Sequence, residues 1–367
     1  MIRFTDLIDL EAKAYQDKDR GRWAPERDIS RIKNVKATQG DNGPSLKEIS
    51  TGSGDGRKLA KAQSLYKKLL EMAREQAFKV QKGHRLDPSV ALPYLRYSIE
   101  KGLNDDLYNF LALVHGGRDD LAVHTVVVTF ASMKLGKGLE YGDRRILDLG
   151  LAAFYQNVGM YKTPPDILAK QGSLTEREKN FIRQHPVISH EILSAAGEEY
   201  DFIADIALQV HERFDGSGYP FGLAGEEILE EALVIGLMDQ YVAMCSDRPY
   251  PKRLMPAEAV KSILTGERKS IAPWVLKAFL EQITLFPVGS LVRLNNQYIG
   301  RVISTNEKNP FRPTVELLYD SNGEKMKLTE IIDLNVTPLY YIRQAVDERA
   351  LLAKKPSIIR RARYKRS

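Results

Sequence analysis

Between Leu59 and Lys82 the apolar residues Ala62, Leu65, Tyr66, Leu69, Leu70, Ala73, Ala77 and Val80 recur at steps of three and four, with Lys, Arg and Glu between them. That spacing puts one apolar stripe on a helix, so a long amphipathic helix is predicted here. Gly83 stands where such a helix ends, and Asp87 followed by Pro88 offers cap and first-turn chemistry for the next one. Similar patterning predicts helices at 88–101, 104–115, 119–136, 142–156 and 175–196. An apolar helical run then leads from Ala204 into His211. Strand-like alternation is scarce before residue 285, so the body of the chain is expected to be mainly α.

The pattern changes at Phe286. Short β-branched runs, LVRL, YIGRVIST, TVELLY and KMKLTEI, follow as far as Tyr341, separated by Asn295-Asn296, Asn309-Pro310 and Ser321-Asn322-Gly323. Turn residues between alternating segments predict a small antiparallel β module. At the other end, residues 1–15 suit a short amphipathic helix, and Gln16 to about Arg57 is polar and rich in charge, Gly and Ser. Few side chains there could enter a core. The expected division is a polar arm at 1–58, helices at 59–118 packing on the core, a helical domain at 119–285, a β module at 286–345 and a basic tail at 346–367.

Charge alters the picture less than its total implies. The 367-residue chain carries a formal charge of +6, but residues 354–367 hold seven Lys or Arg and no acid, leaving the rest near neutral. Such a tail suits a solvated end or contact with an anionic partner. The single cysteine, Cys245, excludes an intrachain disulfide and agrees with a reducing compartment. The first residues mix charges into apolar positions and no apolar run is long enough to span a bilayer, so the cytoplasm is the expected location.

Candidate chemistry concentrates in ADIALQVHERFDGSGYP, residues 204–220. Gly216 and Gly218 admit backbone angles that a Cβ disfavours, so this loop could set amide groups against an anion while Asp215 and Tyr219 project in defined directions. A DGxG sequence is equally at home in a plain turn. The surroundings are more distinctive: Gly218-Tyr219-Pro220, the GLxG at Gly222 to Gly225, and SDRPY at Ser246 to Tyr250. Together they resemble the HD-GYP family of bacterial cyclic di-GMP phosphodiesterases, over roughly residues 60–345 and most strongly over 120–250.

The resemblance implies a helical bundle holding two or three divalent metals, because a phosphodiester is attacked by metal-activated hydroxide. Carried over position by position, the ligand set is Asp120, His124, His185, His211 and Asp239. The paired His-Asp that gives the family its name falls on Gln156 and Asn157. Neither amide supplies an imidazole nitrogen or a negative charge to bridge cations. The family's Lys falls on Met160, and the first of two adjacent histidines on Val210. His190 has no counterpart and is expected at the surface or in packing. The family's ligand-binding side is better kept: Asp215, Gly216, Gly218, Tyr219, Pro220 and Arg248 carry over, with Arg248 suited to phosphate or guanine edges, while the basic residue the family has after RPY falls on Pro251 and Lys252 stands one residue further on.

Three readings follow from these losses. The chain is a catalytically impaired homologue that receives cyclic di-GMP and signals to a protein partner, or a nucleotide-independent interaction scaffold, or a phosphodiesterase with a non-standard metal site. A paired metal centre is not expected; a single Fe, Mn, Zn or Ni held by His185 and His211 stays open.

Overall fold

A computed structural model describes residues 54–114, 120–246 and 254–346, except residues 169, 171, 267, 284, 287, 307, 308 and 310. The arm before residue 54, the tail beyond residue 346 and, within SDRPY and its flank, Arg248 and Lys252 lie outside the described residues.

Helix α1, Gly54–Gln81, is the long amphipathic helix of the sequence. Ala62, Leu65, Leu69, Ala73 and Val80 are buried along it, and Gln76 completes the stripe although its polarity hid it from the pattern. Asp87 caps the next turn through Ser89 N, with Pro88 at its first position, and α2 follows at Leu92–Glu100. After α3, Asn104–Val114, comes α4, Leu121–Gly138, whose residues are buried on nearly every side. It runs through the bundle, packed against α1, α3, α5 (Asp143–Tyr155), α10 (Glu230–Cys245) and α12 (Pro273–Gln282). A helix enclosed by five others has almost no wet face apart from Lys137 near its end, which accounts for the unbroken run of Thr, Val, Phe and Ala from Thr125 to Ala131.

The helix expected over 175–196 is two. After the short α6, Pro165–Leu168, helix α7 spans Glu176–Ile182 and α8 spans His185–Ser194. Pro186 has no N–H for the carbonyl four residues back, that of Ile182, and its ring crowds that turn. Helix α9, Asp201–Gln209, packs against α8, and the 211–229 loop leads to α10. Helix α11, Pro256–Gly266, precedes α12.

The C-terminal module is an antiparallel sheet of β1 (Leu291–Leu294), β2 (Ile299–Ser304), β3 (Thr314–Tyr319), β4 (Ile331–Asp333) and β5 (Ile342–Val346), in the order β4-β3-β2-β1-β5. Two expectations are corrected. Of the run KMKLTEI only Ile331 belongs to a strand of the sheet; its first residue, Lys325, just after the turn at Asp320 to Glu324, makes an isolated bridge to Tyr319. Strand β5, absent from the expected runs, pairs with β1 from Leu291↔Val346 to Leu294↔Ile342.

Candidate functional site

Five segments converge on one buried polar cluster. Helix α4 brings His124, the end of α5 brings Gln156 and Asn157, the start of α8 brings His185, the turn after α9 brings His211, and α10 brings Asp239. The α5 end is drawn onto α8 by Ser189, whose Oγ accepts from Gly159 N and donates to Gln156 O, both at 2.8 Å. A Cβ at Gly159 would fall 2.2 Å from His185 O, so only glycine permits this approach.

Asp239 is the hub. Its Oδ1 accepts from His124 Nε2 at 2.8 Å, Gln156 Nε2 at 3.0 Å and Asn157 Nδ2 at 3.1 Å. Burial alone would push this carboxyl up, but His124 and these hydrogen bonds hold it well below the usual carboxylate range. The two amides thus do for Asp239 part of what cations would do, neutralising it with N–H dipoles.

The two remaining histidines face each other. Pro186 leaves the Ile182 carbonyl open, and His185 Nδ1–H donates to it at 2.8 Å. In the neutral ring His185 Nε2 is then an acceptor, and His211 Nε2–H donates to it at 3.0 Å. Burial lowers the pKa of both rings, and His185 adds to the effect on His211, which is brought to about 3. Both are neutral near pH 7.

Among the described residues no group of three or more His, Cys, Asp or Glu is arranged to hold a metal ion. The donor chemistry agrees: with Asn157 in place of a bridging carboxylate and Asp239 already bonded to three N–H groups, these side chains do not fit a paired metal centre. Asp120 is not gathered in. It stands before the first turn of α4, where Oδ1 caps Ala122 N at 2.9 Å and Oδ2 pairs with Arg74 at 2.7 Å. The shared helix face expected for Asp120 and His124 therefore does not exist, because only His124 is helical. Val210 is fully buried and apolar, and Met160 and His190 are half-buried, His190 with its Nε2 3.5 Å from Asp205.

The GYP loop stands against the histidine pair. Tyr219 stacks on His211 with ring centroids 4.9 Å apart, and the Arg183 guanidinium lies 5.6 Å from the Tyr219 ring centre. Burial pushes the Tyr219 phenol up to about 12. Gly218 is needed for close approach, since a Cβ there would sit 2.4 Å from Arg213 N. Asp215 serves the loop itself, its Oδ1 accepting from Ser217 N at 3.1 Å and Ser217 Oγ at 2.6 Å. Gly216 takes a φ of 79°, and the Tyr219-Pro220 peptide is cis.

Sequence reasoning missed the residue that secures this loop. Glu212 is 1% exposed, and its carboxylate accepts from Phe221 N at 2.7 Å and Leu223 N at 3.0 Å. An acid beside a His at the head of a Gly-rich loop is the signal that could have found it. Also missed was the wall of a cleft of about 670 Å³ lined by His211, Asp215, Gly218 and Tyr219 together with Arg183, Arg213, Arg268 and Lys269.

Residues 112–273 match the family described as "HD domain", and residues 291–354 the one described as "KOW domain associated with HD domain". A cyclic di-GMP phosphodiesterase of Pseudomonas aeruginosa is 32% identical over 58% of this chain and 51% of its own length. One of Borreliella burgdorferi is 27% identical over 57% of this chain and 54% of its own. The chain thus spans about half the length of these curated relatives. A solved structure of an HDG"Y"P protein from Bdellovibrio bacteriovorus aligns at a TM-score of 0.45 and 15% identity, over 63% of this chain and 72% of that one. No helix among the described residues is long and apolar enough to cross a membrane. An HD domain with relatives of this kind, followed by a KOW domain associated with such domains, makes the chain an HD-GYP-like protein.

Proposed function

We propose that this protein binds cyclic di-GMP in the cleft beside its GYP loop and does not hydrolyse it, acting as a receptor that passes ligand occupancy to a protein partner. The observation that carries the reading is the hydrogen-bond set on Asp239. A carboxylate that accepts from His124, Gln156 and Asn157 is neutralised by the protein itself. Hydrolysis of a phosphodiester at neutral pH calls for a strong nucleophile and for cations on the developing negative charge. Near Asp239 this chain offers two neutral amides in their place. Binding makes smaller demands: a cleft with cationic walls and an ordered backbone suffices. The cleft has Arg183, Arg213, Arg268 and Lys269 on its walls, and Glu212 holds the loop in shape.

Two curated relatives named as cyclic di-GMP phosphodiesterases support the choice of ligand. Within the reading, Tyr219 and Arg183 order the loop and the approach to His211, and Arg248 and Lys252 take part in recognition. The test is calorimetric titration of the purified protein with cyclic di-GMP, elemental analysis for Fe, Mn, Zn and Ni, and chromatography of the ligand after incubation with each metal. Binding with intact ligand and little metal is expected. Metal-dependent release of linear dinucleotide or GMP, abolished in His211→Ala, would overturn the proposal in favour of an enzyme. No binding at all would overturn it in favour of a scaffold.

A further inference from the structure

The turn that joins α11 to α12 contributes two cations to the cleft that neither the GYP loop nor the histidine cluster accounts for. Arg268 and Lys269 are exposed, and both line the cleft with Leu264, Thr265, Gly266 and Ser270 of the same segment. The turn is fastened to the GYP loop: Phe214 N donates to Ser270 O at 2.9 Å, and the Phe214 ring meets Trp274 edge-on at 5.5 Å. Trp274 is fixed in turn by its Nε1–H on Glu230 Oε2 at 2.9 Å. Two long cationic side chains thus rise from a backbone anchored immediately after them, through Ser270 and Trp274, so little ordering of the main chain is needed when they meet an anion.

Charge in the cleft is one-sided. Four cationic side chains line it, Arg183 and Arg213 from the histidine side and Arg268 and Lys269 from the turn. Asp215 is the one carboxylate among the described lining residues, and its Oδ1 is already taken by Ser217. Cations on two separate segments match a ligand with two separated phosphates better than a ligand with one.

We propose that Arg268 and Lys269 form a second phosphate subsite, which makes the cleft selective for a ligand carrying two phosphodiesters over a mononucleotide. This rests on the receptor reading for the identity of the ligand, though not for the presence of the subsite.

The experiment titrates cyclic di-GMP, GMP and inorganic pyrophosphate into the full chain, into Arg268→Ala/Lys269→Ala, and into Lys68→Ala/Lys82→Ala, which removes the same charge from α1 and the turn just after it. In the turn variant, cyclic di-GMP affinity is expected to fall by about tenfold or more, as for the loss of charge-assisted hydrogen bonds. GMP should bind it about as before, so that the preference for the dinucleotide narrows, with Tm unchanged and salt dependence reduced. Unchanged cyclic di-GMP affinity in the turn variant, or an equal loss in the α1 variant, would overturn the subsite while leaving the receptor reading standing. If the unaltered protein does not bind cyclic di-GMP, the receptor reading fails and pyrophosphate decides the subsite. Binding of pyrophosphate that is lost in the turn variant upholds it; absent or unaffected binding overturns it.

Discussion

Asp239, His185 and Glu212 show how much of this site depends on where single hydrogen-bonding groups point. Each is buried or nearly so: Asp239 is satisfied by partners far away in the chain, His185 by a carbonyl that a local break leaves open, and Glu212 by the loop that follows it. Glu212 offers the sharpest test. Replacing it with Gln turns one acceptor into an N–H₂ that must face a backbone N–H. The expected cost is about 1–3 kcal/mol in urea unfolding, with a parallel loss of cyclic di-GMP affinity as the loop loosens. A second prediction concerns pH. Burial raises the Asp148 carboxyl to about 6, against the lowering effect of Arg144, whose Nε is 3.6 Å away. The folded state therefore holds this proton more tightly than the unfolded state does. Its contribution to stability is full below about pH 4, the unfolded carboxyl's range, and is lost as pH rises through about 6. Asp148→Asn should flatten that part of the stability profile and raise stability at pH 7 by on the order of 2 kcal/mol, read from unfolding curves between pH 4 and 8. Of the residue-level site, the candidates His124, His185, His211 and Asp239 were legible from sequence, and so were the amides at Gln156 and Asn157. That the amides would turn their N–H₂ groups onto Asp239 was not, because no local pattern ties residue 156 to residue 239.

Among the elements, the break between α7 and α8 has the most consequence for the site. A continuous helix would have consumed the Ile182 carbonyl with the N–H of residue 186; proline leaves it to His185 Nδ1. Pro186→Ala should join the two helices through Arg183 and Gln184 and remove the acceptor that sets the His185 tautomer. The imidazole nitrogen signals of His185 should shift toward those of a mixed tautomer, a change visible by NMR even if overall stability rises. The sequence reading placed a single helix at 175–196 because its apolar spacing is continuous, and spacing does not register a missing N–H. Strand β5 was passed over for the opposite reason. Its residues are half-buried or exposed, so it lacks the alternation of a strand with one dry face, and pairing with β1 is what makes it a strand. The Asp120–His124 pair failed likewise at the element scale: a four-residue spacing places two side chains on one face only if both residues are helical, and Asp120 is the cap.

At the scale of the whole molecule the cleft is the product of packing, since its lining comes from Arg183, from the 211–219 loop, from the end of α11 and from Arg268 to Ser270. A ligand that touches all three should tie them together. Saturating cyclic di-GMP, at about 100 times its Kd, is expected to stabilise the protein by about 2.7 kcal/mol and to raise Tm in a concentration-dependent way, as scanning calorimetry would show. Removal of residues 354–367, which carry the excess positive charge, should leave that shift unchanged if recognition belongs to the cleft. By itself the sequence determined the mainly helical body, the small antiparallel module behind it, the glycine-dependent GYP loop and the chemical type of each candidate ligand, because these follow from periodicity, turn chemistry and side-chain identity. Tertiary structure alone decided that Asp120 caps a helix instead of joining the histidines, that Asp239 is satisfied by two amides and an imidazole, and that Arg268 and Lys269 share a cleft with Tyr219. The physical reason is range: a hydrogen bond or an electrostatic contact acts over a few ångströms, and residues brought that close by folding can be separated by a hundred positions along the chain.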